Sequence, residues 1–193
     1  MYLVTGATGF VGSAVTRQLL ARGENVRVLS RAGSDQTNIR DLHVEVVEGD
    51  LLKPETLGSA VEGCDGVFHV AADYRLWTRN PETMFRTNVD GSRAIVRAAL
   101  SAGVGRIVYT SSVAVLGNVP GGVADEDTPV TYADMIGPYK QSKFRADEAV
   151  RQLIEEKGAP VVIVNPSTPI GPRDVKPTPT GRVIVEAASG KMP

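Results

Sequence analysis

A single cysteine, Cys64, stands among 193 residues, so no disulfide can form within the chain, which fits a reducing cytosol. Cys64 reads as a buried thiol, since only His43 and His69 could assist it as a nucleophile. An excess of one charge is also missing. With 21 basic and 22 acidic residues, the chain has no global field to gather nucleic acid or an anionic membrane. No apolar run approaches the ~20 residues needed to span a bilayer. No secretory signal precedes the first apolar run. No cluster of His, Cys and carboxylates suggests a metal site. What remains is an ordinary globular composition, 42% hydrophobic and 22% charged. The length suits one domain, and the expectation is a single cytosolic domain over residues 1–193.

Short β-branched runs alternate with longer segments of helical period. Tyr2-Leu3-Val4, Val26 to Leu29, Val44 to Val47, Val67 to Val70, Ile107 to Tyr109 and Val161 to Val164 read as six strands. Helices are expected from about Val11 to Ala21, near Glu55 to Val61, from a start at Pro81 into the long amphipathic segment Met84 to Ser101, and from Pro138 toward Ile154, with Gly158 as a stop. Strand–helix alternation with strands buried on both faces predicts an α/β fold, a doubly wound parallel sheet. Pro and Gly gather in Val119 to Pro129 and in Pro166 to Gly181. Both stretches are long for simple connections, which makes them candidate substrate loops.

Thr5-Gly6-Ala7-Thr8-Gly9-Phe10-Val11-Gly12 lies between the first strand and its helix. Gly6 permits a tight turn, Gly9 lets backbone approach a pyrophosphate, and Gly12 lets helix pack on strand. The helix start then offers free N–H groups and a positive dipole end to phosphate. Dinucleotide-binding enzymes that use NAD usually carry an acid after the second strand for the ribose hydroxyls. This chain has Ser30-Arg31 there. Arg31 suits a 2′-phosphate, which favours NADP with NAD as the alternative. Asp50, ahead of Leu51 after strand three, can accept from the adenine amino group or cap the next turn. Val70, Ala71 and Ala72 put small residues beside the cofactor path, and His69 reads as a packed strand residue.

Tyr139 and Lys143 stand at i and i+4, on one face of a helix. A phenol ordinarily keeps its proton to about pH 10, and a neighbouring ammonium favours the phenolate. Thr110-Ser111-Ser112 ends strand five and brings hydroxyls to the same sheet edge. Together these residues make a device for moving a proton on or off a substrate oxygen.

Thr5-Gly6-x-x-Gly9-x-x-Gly12, Thr87-Asn88-Val89-x-Gly91, Thr110-Ser111-Ser112 and Tyr139-x-x-x-Lys143 together resemble the extended short-chain dehydrogenase/reductases. Within them, Ala71-Ala72-Asp73-Tyr74-Arg75-Leu76-Trp77, Asn165-Pro166-Ser167-Thr168-Pro169-Ile170-Gly171-Pro172 and Lys176-Pro177-Thr178-Pro179-Thr180-Gly181 resemble the hopanoid-associated sugar epimerases. These are similar to dihydroflavonol 4-reductases. The resemblance implies a Rossmann fold followed by a smaller substrate domain, absent from these 193 residues. It implies that Tyr139 is the general acid/base and that Ser112 orients the substrate oxygen, with Thr110 under the nicotinamide. Lys143 would hold the nicotinamide ribose and lower the Tyr139 pKa. Asn88 would order the cofactor site, while Pro166, Ser167 and Thr168 close over the nicotinamide. Gly6, Thr8, Gly9, Phe10, Val11, Gly12, Arg31, Asp50, Leu51, Val70, Ala71 and Ala72 complete the cofactor contacts. Tyr74, Arg75 and Trp77 would face a small-molecule carbonyl, alcohol or sugar-like substrate. A homodimer through the Met84–Ser101 and Tyr139–Ile154 helices is a further implication.

The expected activity is NADP-preferring oxidoreduction between a secondary alcohol and a ketone. Two alternatives stand beside it. One is a nucleotide-sugar epimerase or dehydratase with tightly held NAD, and the other is a non-catalytic NADP-sensing module.

Overall fold

The structure, a computed structural model, describes residues 1–75 and 77–191; Leu76 of the loop signature lies outside them, as do Met192 and Pro193. Six strands form one sheet: β1 (Tyr2–Thr5), β2 (Val26–Ser30), β3 (Glu45–Glu48), β4 (Gly66–His69), β5 (Arg106–Thr110) and β6 (Val161–Val164). Their order is β3-β2-β1-β4-β5-β6 and every pairing is parallel. The strand order reverses beside β1, and ligands of open α/β sheets bind at such a switch point, outside the carboxyl ends of the strands. The doubly wound Rossmann-type sheet expected from the alternation is the fold.

Period-two alternation sorts the side chains between two layers. Leu3, Val67, Ile107 and Tyr109 pack against α2 (Leu57–Val61), α4 (Gly91–Ser101) and α5 (Pro138–Lys157). Val4, Val26 and Val28 turn the other way, toward α1 (Phe10–Ala21). The edge strands depart from the expected two-sided burial. In β6, Val161 and Ile163 join the α5 layer, but Val162 and Val164 on the opposite face are exposed. Among the described residues, α1 is the helix that packs into that second cluster, and it covers the β2–β1–β4 side. In β3 the pattern Glu45-Val46-Val47-Glu48 is largely exposed, as an edge strand with charged ends can be.

Two local differences from the sequence reading matter for the site. The helix expected to open at Pro81 does so, as α3 (Pro81–Phe85), but it is not one continuous α-helix to Ser101: it passes through a π-helical segment, Arg86–Asp90, before α4. Asn80 caps α3, its side chain accepting from Thr83 N. The stretch Pro166–Gly181 is not loop throughout. Thr178 caps a sixth helix, α6 (Pro179–Ala188), and Asp174 in turn accepts from both the amide and the hydroxyl of Thr178. Two prolines in Lys176-Pro177-Thr178-Pro179 signal a loop, but Pro179 occupies the first helical position, where its missing N–H costs nothing.

Candidate active site

Parallel pairing brings the ends of β1, β4, β5 and β6 to one edge. Gly6 opens the first turn with φ +72°, and a Cβ there would stand 2.7 Å from Ala71 N. Gly12 is tighter: its Cβ would fall 2.1 Å from the Gly6 carbonyl oxygen. Gly9 is different, since within 4 Å its Cβ would meet only Gly6 O, at 3.3 Å, so its outer side is open. Two glycines therefore serve close packing and the third leaves an approach. Gly9 is also the N-cap of α1, with no side-chain cap and no acid in the first turn. The leading amides keep their donors and positive dipole end for an anion. These features fit a dinucleotide pyrophosphate. Thr8 lends its carbonyl to the buried Asn38 side chain at 3.1 Å, while Arg17 grips the Asn38 carbonyl. The loop after β2, which starts at exposed Arg31, is thus tethered to the glycine turn.

Asp50 does cap its turn, accepting from Leu52 N at 2.9 Å through one carboxylate oxygen. The other oxygen carries no hydrogen bond among the described residues. Leu51 is a core residue whose side chain lies against Gly91, so only its backbone can serve the edge. Val70, Ala71 and Ala72 are half-buried just beyond β4.

At β5 the geometry converges on Lys143. Its ammonium, 2% exposed, donates to Thr110 O at 2.9 Å and to the Tyr109 hydroxyl at 3.3 Å. An ammonium has three donors, so one remains for a ligand. Burial draws the Lys143 pKa from 10.5 down to about 8, with Asp147 working the other way. Ser112 Oγ accepts from Ala114 N at 3.1 Å, which leaves its hydrogen free to donate outward. Asn165 donates to Ser112 O, and Pro166 O accepts from Val113 N, so the ends of β5 and β6 are stitched together. Ser167 and Thr168 follow on the exposed side. Farther along, Gly171 approaches the Phe10 ring, so this segment runs back over the start of α1.

Tyr139 is half-buried in the first turn of α5, after Gly137 with φ +86° and Pro138 at the first helical position. Asn88 supports this turn from the π-helical segment. Its amide donates to Ser142 Oγ and Asp73 O, both at 2.9 Å, and accepts from Asp73 N at 2.7 Å. Ser142 Oγ in turn donates to Tyr139 O. A π-helical turn at such a place is a common mark of function. Of the residues expected to face substrate, Arg75 folds back onto Asp73 at 2.9 Å, Tyr74 is exposed, and Trp77 is 72% exposed.

Three buried groups contribute that their residue types alone did not reveal. His69 lies in register with Thr5 on one side and Tyr109 on the other. Its Nδ1 meets Thr5 Oγ1 at 2.7 Å and its Nε2 meets Ser92 Oγ at 2.9 Å, so both nitrogens are occupied. Burial pushes its pKa down to about 3, which makes it a neutral strut, not a base. An unfolded histidine protonates near pH ~6.5. Between those values the unfolded chain binds more protons, so stability should fall as pH drops through that window. Melting curves of His69→Gln should show a flatter acid slope than those of the parent; equal slopes would refute the assignment. Lys143, also lowered, adds a rise in stability from about pH 8 to 10.5. The other two buried groups are Ser111 and Asp147, hydrogen-bonded to each other.

A family model described as the NAD dependent epimerase/dehydratase family matches residues 2–190. The chain belongs to that family. A protein of Synechocystis sp. named "Putative dihydroflavonol 4-reductase" is 46% identical over 193 residues, all of this chain and 56% of that protein. Among solved structures, gox2253 is 57% identical with a TM-score of 0.95, over the whole of this chain and 59% of that one. The dTDP-glucose 4,6-dehydratase DesIV of Streptomyces venezuelae, solved with NAD and TYD bound, is 28% identical with a TM-score of 0.85, over 98% of this chain and 62% of that one. The chain therefore spans somewhat more than half the length of these epimerase/dehydratase relatives. Among the described residues no helix is long and apolar enough to cross a membrane, and no group of three His, Cys, Asp or Glu could hold a metal.

Proposed function

We propose that the chain is the dinucleotide-binding and proton-transferring part of an NADP-preferring oxidoreductase that interconverts a secondary alcohol and a ketone. One observation carries the reading. The buried Lys143 ammonium, one helical turn beyond half-buried Tyr139, is held by the Thr110 carbonyl at 2.9 Å, two residues before Ser112. A bound nicotinamide supplies or accepts hydride at its C4. The protein's own part is to hold the reacting oxygen and move its proton. Ser112 donates to the substrate oxygen, and Tyr139 gives or takes the proton there. Lys143 uses its free donor on the nicotinamide ribose and favours the charged form of Tyr139. The Gly6–Gly12 turn would cradle the pyrophosphate, with Asp50 toward the adenine and Arg31 toward a 2′-phosphate. Asn88, Val70, Ala71, Ala72, Pro166, Ser167 and Thr168 would shape the nicotinamide side. The substrate would be a small molecule, the assembly a homodimer through α4 and α5, and the compartment the cytoplasm.

Oxidation of NADPH by a panel of ketones and aldehydes tests this directly. Net consumption supports the reductase. Co-purified NAD without net consumption would instead favour an epimerase or dehydratase, the second reading, which draws support from the family and from a relative solved with NAD. Binding of NADPH with no turnover at all would favour a sensor. The coenzyme preference has its own test. Arg31→Glu should weaken NADPH binding about tenfold or more while changing NADH binding by less than about threefold. Equal losses for both would overturn the role of Arg31.

A further inference from the structure

Two adjacent cross-links join the end of β5 to one face of α5. Lys143 donates to Thr110 O at 2.9 Å, and Ser111 Oγ donates to Asp147 Oδ1 at 2.7 Å. Thr110 and Ser111 are consecutive, and Lys143 and Asp147 are one helical turn apart, so the pair fixes both the rotation and the height of α5 on the strand. Asp147 is 6% exposed and Ser111 5%, and the second carboxylate oxygen of Asp147 accepts from Arg151 Nε at 2.6 Å. A buried carboxylate with both oxygens engaged, set beside a buried ammonium, does more than tether.

We propose that Asp147 is a positioning residue of the proton-transfer site, holding Lys143 in place through Ser111 and supplying the buried negative charge that keeps it an ammonium. The proposal rests on the reading of Tyr139 and Lys143 as the proton-handling pair. The groups that face Lys143 leave Asp147 as its anionic partner. From the sheet come His69, neutral, and Tyr109, whose pKa burial drives well above its ordinary value. The buried polar groups next to these are neutral: Ser92 of α4 on His69 Nε2, and Asn88 of the π-helical segment on Ser142 Oγ. The Val113–Val115 turn is aliphatic, and Glu82 of α3 and Asp134 of the Tyr132–Asp134 turn are exposed. On α5 itself stand Tyr139 and Asp147. Arg151, about half exposed, partly neutralises Asp147 from the solvent side. Burial alone disfavours the ammonium, and Asp147 opposes it. Without that charge Lys143 would lose its proton near neutral pH, and with it the means of favouring the Tyr139 phenolate.

The test is the titration of Lys143 by NMR of 13Cε-labelled lysine, with the resonance assigned by its absence in Lys143→Arg. Asp147→Asn keeps an acceptor for Ser111 and removes only the charge; it should move the Lys143 midpoint down by about one pH unit. Asp147→Glu should restore most of that shift. Arg151→Met should move the midpoint up, and it stands as an independent arm if Asp147→Asn does not fold. An unmoved midpoint in both Asp147→Asn and Arg151→Met, or shifts of the same sign, would reduce Asp147 to a structural tether and overturn the proposal. The measurement needs no substrate and no turnover, so a failure of the reductase reading would show separately.

Discussion

Tyr139→Phe should bind NADPH within about twofold of the parent and lose about 10²–10⁴ of its turnover. The substitution removes one oxygen and keeps the ring. Tyr139 is half-buried in the first turn of α5, and the turn is held by Pro138, by Ser142 on the Tyr139 carbonyl, and by Asn88 behind Ser142. None of these contacts uses the phenol hydroxyl, so the backbone should stay in place. The glycine turn that would hold the pyrophosphate lies on other elements, which is why binding should persist. Fluorescence titration with NADPH and the rate of NADPH oxidation with an active carbonyl separate the two effects. Turnover equal to the parent's would remove Tyr139 from the mechanism.

Gly12→Ala should have the larger effect on binding and folding together. Its new methyl would stand 2.1 Å from Gly6 O, 2.5 Å from Gly6 C and 2.9 Å from Ala7 N. All three are backbone atoms in the turn itself, so no side chain can swing aside. Overpacking of this kind costs about 1–3 kcal/mol. In a domain of this size that lowers the melting temperature by about 2–4 °C per kcal/mol. The shifted turn also misdirects the amides at the start of α1, so NADPH affinity should drop about tenfold or more. Gly58→Ala is the control. It lies in α2, a Cβ there meets nothing within 4 Å, and the change should be neutral or stabilising. Similar melting temperatures and affinities for the two variants would refute the packing role of Gly12.

The strands and helices nearest the site were legible because each carries its own local signal. β1, the glycine turn and α1 follow from spacing alone, and so does the Tyr139–Lys143 pair, since helical period places i and i+4 on one face. Asn88 was legible only as part of a family pattern; its grip on Asp73 and Ser142 depends on the π-helical turn, which no local propensity announces. Lys176-Pro177-Thr178-Pro179 reads as loop, yet Thr178 and Asp174 cap a helix there, because a capping hydroxyl and an N1 proline look like turn chemistry from the sequence. His69 reads as a strand residue and is one, but its neutrality comes from partners 23 and 64 residues away.

By itself the sequence determined the alternation of strands and helices, the glycine turn between β1 and α1, and the presence of a Tyr–Lys pair downstream of Ser112. Each of these depends on spacing along the chain, which covalent geometry and helical period control. Only the tertiary structure decided that Lys143 is buried, that the Thr110 carbonyl and the Tyr109 hydroxyl take two of its donors, and that Asp147 stands beside it with Ser111 and Arg151. The links from Lys143 to Thr110 and Tyr109 and from Asp147 to Ser111 join residues more than 30 positions apart, and parallel strand register and the seating of α5 on the sheet create them. Desolvation, which sets the charge of Lys143 and His69, exists only once those layers have closed.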